Sequence, residues 1–176
     1  MEFFQYLAPT KVIFGRGTEA RTGALCKEAG ATKVLIHYGG HSAKKSGLID
    51  RICASLQAEG ISYTELGGVV PNPRLSKVYE GIELGRKEKI DFILAVGGGS
   101  VIDSAKAIGY GLTNEGDVWD YYTGKAPQAC MPIGAVLTIA AAGSEMSNAS
   151  IITNENGWLK RGAYSPYAYC KFAVMN

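Results

Sequence analysis

The sequence predicts an α/β protein, built as a parallel sheet with helices on both faces. Three observations carry this. From residue 33 onward the pattern runs strand, helix, strand, helix, strand, helix, strand. One of those strands, FILAV at 92–96, is apolar at every position, the mark of a strand covered on both sides. Glycine or hydroxyl clusters then stand where strands end: Gly39-Gly40-His41-Ser42, Gly97-Gly98-Gly99-Ser100, and Thr138 through Ser147. In such sheets ligands bind outside the carboxyl ends of the strands, at a switch point.

The elements follow in order. Residues Phe3–Tyr6 and Lys11–Phe14 are β-prone runs around Ala8-Pro9-Thr10 and predict an N-terminal β-hairpin. Thr18 is placed to cap a helix ending at Gly30, with Leu25, Cys26 and Ala29 on one face. KVLIHYGG is a buried strand stopped by two glycines. Leu48, Ile49, Ile52 and Leu56 make one face of a helix over 48–58. ISYTEL is the next strand, and GGVVPNP a loop. Leu75, Val78, Tyr79 and Ile82 predict a helix over 75–87. After FILAV and the glycines comes another helix, then the loop WDYY at 119–122, then the strand IGAVLTI. SIITN and KFAVM are strand-like, separated by ENG and the run Trp158-Leu159-Lys160-Arg161-Gly162. Trp119–Tyr122 reads as a loop packed against a further domain, with a substrate-facing lid as the alternative; separately, the sequence stops at Asn176 directly after an apolar strand, as a chain cut short would.

Composition narrows the function classes. A length of 176 residues fits one domain, and 47% hydrophobic residues suffice for a core. Only 19% are charged, which leaves room for covered surface. The net charge is +2 without any basic run, so neither nucleic acid nor an anionic membrane is called for. Lys44-Lys45 reads as a solvated pair or a local anion contact. The spacing of Cys26, Cys53, Cys130 and Cys170 matches no zinc or thioredoxin pattern, and there is no apolar leader or spanning run. A soluble cytoplasmic protein is expected.

The glycine loop carries the chemistry. Without Cβ atoms, Gly97, Gly98 and Gly99 allow close approach of a ligand to the backbone. The helix opening at Ser100 has first-turn N–H groups with no internal partner, and its dipole favours an anion. Two plain alternatives stand beside a phosphate site: a tight turn, and a cap by Ser100 with Asp103 in the first turn. No lysine follows the last glycine, which argues against a triphosphate site; Lys106 lies two turns in. The GGHS cluster stands where an adenosine ribose would lie. No carboxylate occurs between Val34 and Gly47, so a 2′-phosphate would meet no repulsion along that stretch, which points to NADP over NAD.

At these residues the chain resembles the iron-containing (group III) alcohol dehydrogenases. The resemblance lies in VGGGSVIDSAKAIG at 96–109, PNP at 71–73, GDVWDYYTG at 116–124 and LTIAAAGSEMSNASIITNE at 137–155, in order and over essentially the whole chain. It is nearest to the NADPH-dependent butanol dehydrogenase-like branch, through the YGG-x-S turn at 38–42.

The resemblance implies a Rossmann-like, dehydroquinate synthase-like nucleotide-binding domain spanning 1–176. A C-terminal helical domain absent from this chain would hold iron or zinc through one aspartate and three histidines. It also implies hydride transfer between the nicotinamide and a primary alcohol or aldehyde, in a homodimer. Gly97, Gly98, Gly99 and Ser100 would hold the pyrophosphate, and Asp103 would lie near the nicotinamide. Gly39, Gly40 and Ser42 would take the 2′-phosphate end, and Asn72 would lie near the adenosine. Thr138, Ser147 and Lys160 would contact phosphate, ribose or nicotinamide.

Ala142 departs from the family pattern, where a threonine is common. The histidines are only His37, within a strand, and His41, in the turn, so no catalytic or metal-ligand set is expected in this chain. Glu145 reads as a structural carboxylate bonding backbone N–H groups. Ser144 lacks the frame of a hydrolase nucleophile. The leading expectation is the cofactor-binding part of an NADP-linked, metal-dependent alcohol dehydrogenase, inactive alone. Against it stand a glycerol dehydrogenase or dehydroquinate synthase on the same fold, and a nucleotide-binding module without catalysis.

Overall fold

A computed structural model describes Phe3 and residues 7–176. Its main sheet has six strands: β1 (Lys11–Phe14), β2 (Lys33–Tyr38), β3 (Ser62–Leu66), β4 (Phe92–Gly97), β5 (Ile133–Leu137) and β8 (Phe172–Met175). They lie in the order β1-β8-β5-β4-β2-β3, every neighbouring pair parallel. A two-stranded antiparallel hairpin, β6 (Ala149–Asn154) and β7 (Leu159–Tyr164), stands apart from it.

Side chains alternate across the sheet because successive strand residues face opposite sides. Val34 and Ile36 of β2, with Phe92, Leu94 and Val96 of β4, face α1 (Thr22–Glu28) and α3 (Leu48–Ala58). Leu35, Ile93 and Ala95 face α4 (Leu75–Glu88) and α5 (Gly99–Thr113). Both layers are apolar, so β4 is buried throughout, in line with FILAV. Fully burying a residue such as Ile102 contributes about 1.5–3 kcal/mol. Helices α4 and α5 approach closely at Gly81, where a Cβ would collide with Ile108.

Several expectations change. Lys11–Phe14 is the edge strand β1, paired in parallel with β8. The other arm of the expected hairpin includes Phe4, Gln5 and Tyr6, which lie outside the described residues. The expected helix from Thr18 is instead a 3₁₀ turn, Thr18–Arg21, running into α1. Gly17, at φ 71°, starts it, and the Thr18 hydroxyl donates to the Gly15 and Met175 carbonyls rather than capping.

Residues 158–162 are not a connector but belong largely to β7, and a short helix α2 (Ser42–Lys45) follows β2. The aromatic loop is a 3₁₀ turn, Val118–Tyr122, packed into this domain's own core rather than held out for another. Tyr121 meets Tyr110 edge-on at 6.0 Å, and the Tyr122 hydroxyl lies 2.6 Å from Ser150 Oγ.

No helix among the described residues is long and apolar enough to cross a membrane.

Candidate functional site

Strand order fixes where a ligand can sit. The chain runs from β2 outward to β3, then returns to β4 on the other side of β2, so the switch point lies between β2 and β4. The crevice there opens beside Gly39-Gly40 on one strand and Gly97-Gly98 on the other.

A cavity of about 470 Å³ lies against the carboxyl end of β4. Asn72, Gly98, Gly99, Ser100, Asp103 and Lys160 line it together, with Ile139, Ala142 and Ser144 on its far wall. Six of the expected site residues thus converge from three separate segments. No side chain caps α5, so the capping alternative for Ser100 and Asp103 is not what the helix adopts. The first-turn amides of Gly99 and Ser100 are free of hydrogen bonds among the described residues. A Cβ on Gly98 would stand 2.7 Å from Ile139 Cγ2, and one on Gly99 would stand 3.1 Å from Ser144 Oγ, so the turn is shaped for bare backbone.

A cation lines the same cavity as this helix end and adds charge to the free amides. The Lys160 ammonium on β7 donates to Asn72 Oδ1 at 2.7 Å. Asn72 sits at φ 56° between two prolines, a left-handed conformation that asparagine tolerates better than most residues. The Thr153 amide donates to the Pro73 carbonyl at 2.9 Å and ties the hairpin to this loop. Glu155 holds the hairpin's turn to α4 by accepting from the Ser76 amide and hydroxyl.

Lys106 explains the far wall. Its side chain is fully buried, and its ammonium donates to the carbonyls of Ser144, Ser147 and Ala149 at 2.7, 2.7 and 2.9 Å. The lysine two turns into α5 is therefore a peg that fixes the GSEM segment. Burial lowers its pKa, and the neighbouring Cys170, Asp103, Cys130 and Glu145 oppose that. Burial in turn raises the pKa of Asp103, against a hydrogen bond from Ser144 and the charge of Lys106. Glu145 is buried but makes no side-chain hydrogen bond to backbone N–H groups among the described residues. Its charge is close enough to raise the pKa of Lys106 slightly, without an ion pair between the two.

The remaining expected residues stand outside this cavity. Gly97 is the last residue of β4, and a Cβ there would meet Val101. Thr138 donates its amide to the Gly97 carbonyl at 3.1 Å. The Ser147 hydroxyl turns back to accept from the Ala149 amide at 3.4 Å. Gly39, Gly40 and Ser42 form the turn across the switch point. His37 is no ligand. Its Nδ1 lies 2.9 Å from the Leu66 carbonyl and its Nε2 2.9 Å from Ser104 Oγ, and burial lowers its pKa to about 4.

The premise for NADP is incomplete. The stretch from Val34 to Gly47 does lack a carboxylate, but Glu65 reaches the same rim from β3. Its Oε2 is 3.1 Å from Lys44 Nζ and accepts from the Tyr38 hydroxyl at 3.0 Å. The Tyr38 hydroxyl and Glu65 together raise the Lys44 pKa. Sequence spacing hid this, because parallel pairing of Ile36 with Glu65 brings distant residues together.

Residues 9–176 match the family model described as iron-containing alcohol dehydrogenase. The chain belongs to the iron-containing alcohol dehydrogenase family. Among relatives within and around this family, it is 47% identical over 177 residues to the probable NADH-dependent butanol dehydrogenase 1 of Bacillus subtilis (strain 168), covering all of this chain and 46% of that protein. It is 33% identical to the NADPH-dependent aldehyde reductase YqhD of Escherichia coli (strain K12), covering 100% of this chain and 46% of that one. Its fold superposes with a TM-score of 0.97 on NADH-dependent butanol dehydrogenase A from Thermotoga maritima, at 47% identity, covering 100% of this chain and 44% of that one. The chain thus spans about half the length of these relatives.

The residues fit a dinucleotide: a glycine turn, free helix amides and a facing cation suit a pyrophosphate. They do not fit a metal. Among the described residues no three His, Cys, Asp or Glu side chains are grouped to hold one.

Proposed function

We propose that this chain is the dinucleotide-binding part of an NAD(P)H-linked alcohol dehydrogenase or aldehyde reductase. The observation that carries the reading is the convergence of the uncapped α5 N-terminus and Lys160 on one cavity at the sheet's carboxyl edge. Gly98, Gly99 and Ser100 would receive the pyrophosphate through backbone N–H groups, and Lys160 would leave Asn72 to neutralise it. Gly97 and Thr138 would set the depth of that turn from β4. Asp103 would approach the nicotinamide end, kept in place by Ser144 and the Lys106 peg. Gly39, Gly40 and Ser42 would flank the adenosine ribose, and Asn72 would border the adenosine. Ser147 would act by holding the far wall rather than by touching the cofactor.

When bound, the cofactor supplies a hydride exchanged with the carbon of a small primary alcohol or aldehyde. This chain would bind and orient it, and activation of the substrate oxygen would fall to a helical metal-binding domain that these residues do not include. Assembly as a homodimer is part of the same reading. Four free thiols accord with a reducing, cytoplasmic setting.

The test is ligand-linked stability. NADH or NADPH at about a hundredfold its Kd should raise the unfolding free energy of the 176-residue chain by about 2.7 kcal/mol, read as a shift in urea midpoint. An unmoved midpoint with both nucleotides would refute the reading.

A further inference from the structure

The rim of the β2 turn holds a charge arrangement that the glycine loop does not need. Tyr38 ends β2, Lys44 lies in α2, and Glu65 is the penultimate residue of β3. Glu65 Oε2 accepts from the Tyr38 hydroxyl at 3.0 Å and stands 3.1 Å from the Lys44 ammonium. That ammonium also lies 5.3 Å from the centre of the Tyr38 ring. The Lys44 and Glu65 side chains keep 56% and 33% of their surface exposed, so a ligand can reach both. Beside them the turn is open, since a Cβ on Gly40 would meet nothing within 4 Å.

This arrangement distinguishes the two forms of an adenosine ribose. A carboxylate has about four acceptor positions, and two partners leave capacity for a neutral 2′-hydroxyl donor. A 2′-phosphate carries nearly two negative charges. To sit there it would have to draw Lys44 away from Glu65 and so lie beside an uncompensated carboxylate, and like charges at hydrogen-bond range disfavour that.

We propose that Glu65, held by Tyr38 and Lys44, is the specificity-determining residue for the ribose 2′ position and selects NAD(H) over NADP(H). The proposal rests on the dinucleotide reading above.

Dissociation constants for NADH and NADPH, measured by nicotinamide fluorescence on the 176-residue chain, test it. The wild type is expected to bind NADH at least tenfold tighter than NADPH. Glu65→Gln frees Lys44, so NADPH should tighten about tenfold while NADH changes less than threefold. Adding Lys44→Gln to that variant should cancel the gain, whereas Lys45→Gln should not. An NADPH/NADH ratio unchanged by Glu65→Gln, or a wild type that prefers NADPH, would overturn this inference and leave the dinucleotide reading standing. Absence of binding by either nucleotide would overturn both.

Discussion

Lys106 is a fully buried charge, and three backbone carbonyls accept from its ammonium. Lys106→Met keeps the packing volume but strands those carbonyls in the interior. Hydrogen bonds to a charged group are each worth about 1.5–3 kcal/mol net. Removing the ammonium also removes its desolvation cost, which offsets part of that sum, so a loss of about 3 kcal/mol in urea-unfolding free energy is expected, with weaker cofactor binding as the far wall loosens. A loss under about 1 kcal/mol would contradict the peg.

His37 makes a second residue-scale prediction. It is buried neutral, with its pKa lowered to about 4 from 6.5. Between those values the unfolded chain binds a proton that the native chain does not. Stability from this group is thus complete above about pH 6.5 and falls as pH drops toward 4. The slope approaches about 1.4 kcal/mol per pH unit. Urea midpoints at pH 7, 6 and 5 should show it, and His37→Gln should flatten that part of the profile.

The β6–β7 hairpin is the element on which the candidate site depends most. It carries Lys160, and Glu155 in its turn accepts two hydrogen bonds from Ser76 at the start of α4. Glu155→Ala removes what amounts to a cap for α4, a change of about 1 kcal/mol. Hydrogen exchange should quicken across 149–164 while β2 and β4 stay protected. Uniform quickening of the sheet would contradict a locally docked hairpin.

At the helix layer, Gly81→Val would push a branched side chain into Ile108 and Leu66. Overpacking of this kind costs about 1–3 kcal/mol.

Legibility from sequence divides along the same line. Apart from the one-turn helix α2, the strands and helices from Lys33 to Leu137 were readable because each carries its own periodicity, and α3 matches its expected limits at both ends. The glycine turns were readable because position and residue type coincide there. β7 was not, since Lys160, Arg161 and Gly162 run through it with little apolar alternation, although the Asn156-Gly157 pair signals a hairpin turn. Nor was the pairing of Glu65 with Lys44, or of Lys106 with the Ser144–Ala149 segment. Those contacts join residues that only strand order and helix packing bring together.

At the scale of the whole molecule, the chain covers less than half of the relatives it matches. It holds a cavity suited to a dinucleotide and, among the described residues, no cluster suited to a metal. The 176-residue chain with butanol, NAD or NADP and added ferrous or zinc ion should therefore show no growth in nicotinamide absorbance. Turnover would mean that the activating groups lie within these residues.

The central claim is that the uncapped end of α5 and Lys160 together grip a cofactor pyrophosphate. Its most direct measurement is the Kd of NADH for the wild-type chain and for Lys160→Met, by fluorescence titration at two salt concentrations. Binding should be saturable, at least tenfold weaker in Lys160→Met, with a smaller salt dependence in the variant because one cation is gone. Equal affinity and equal salt dependence in the two chains would contradict it.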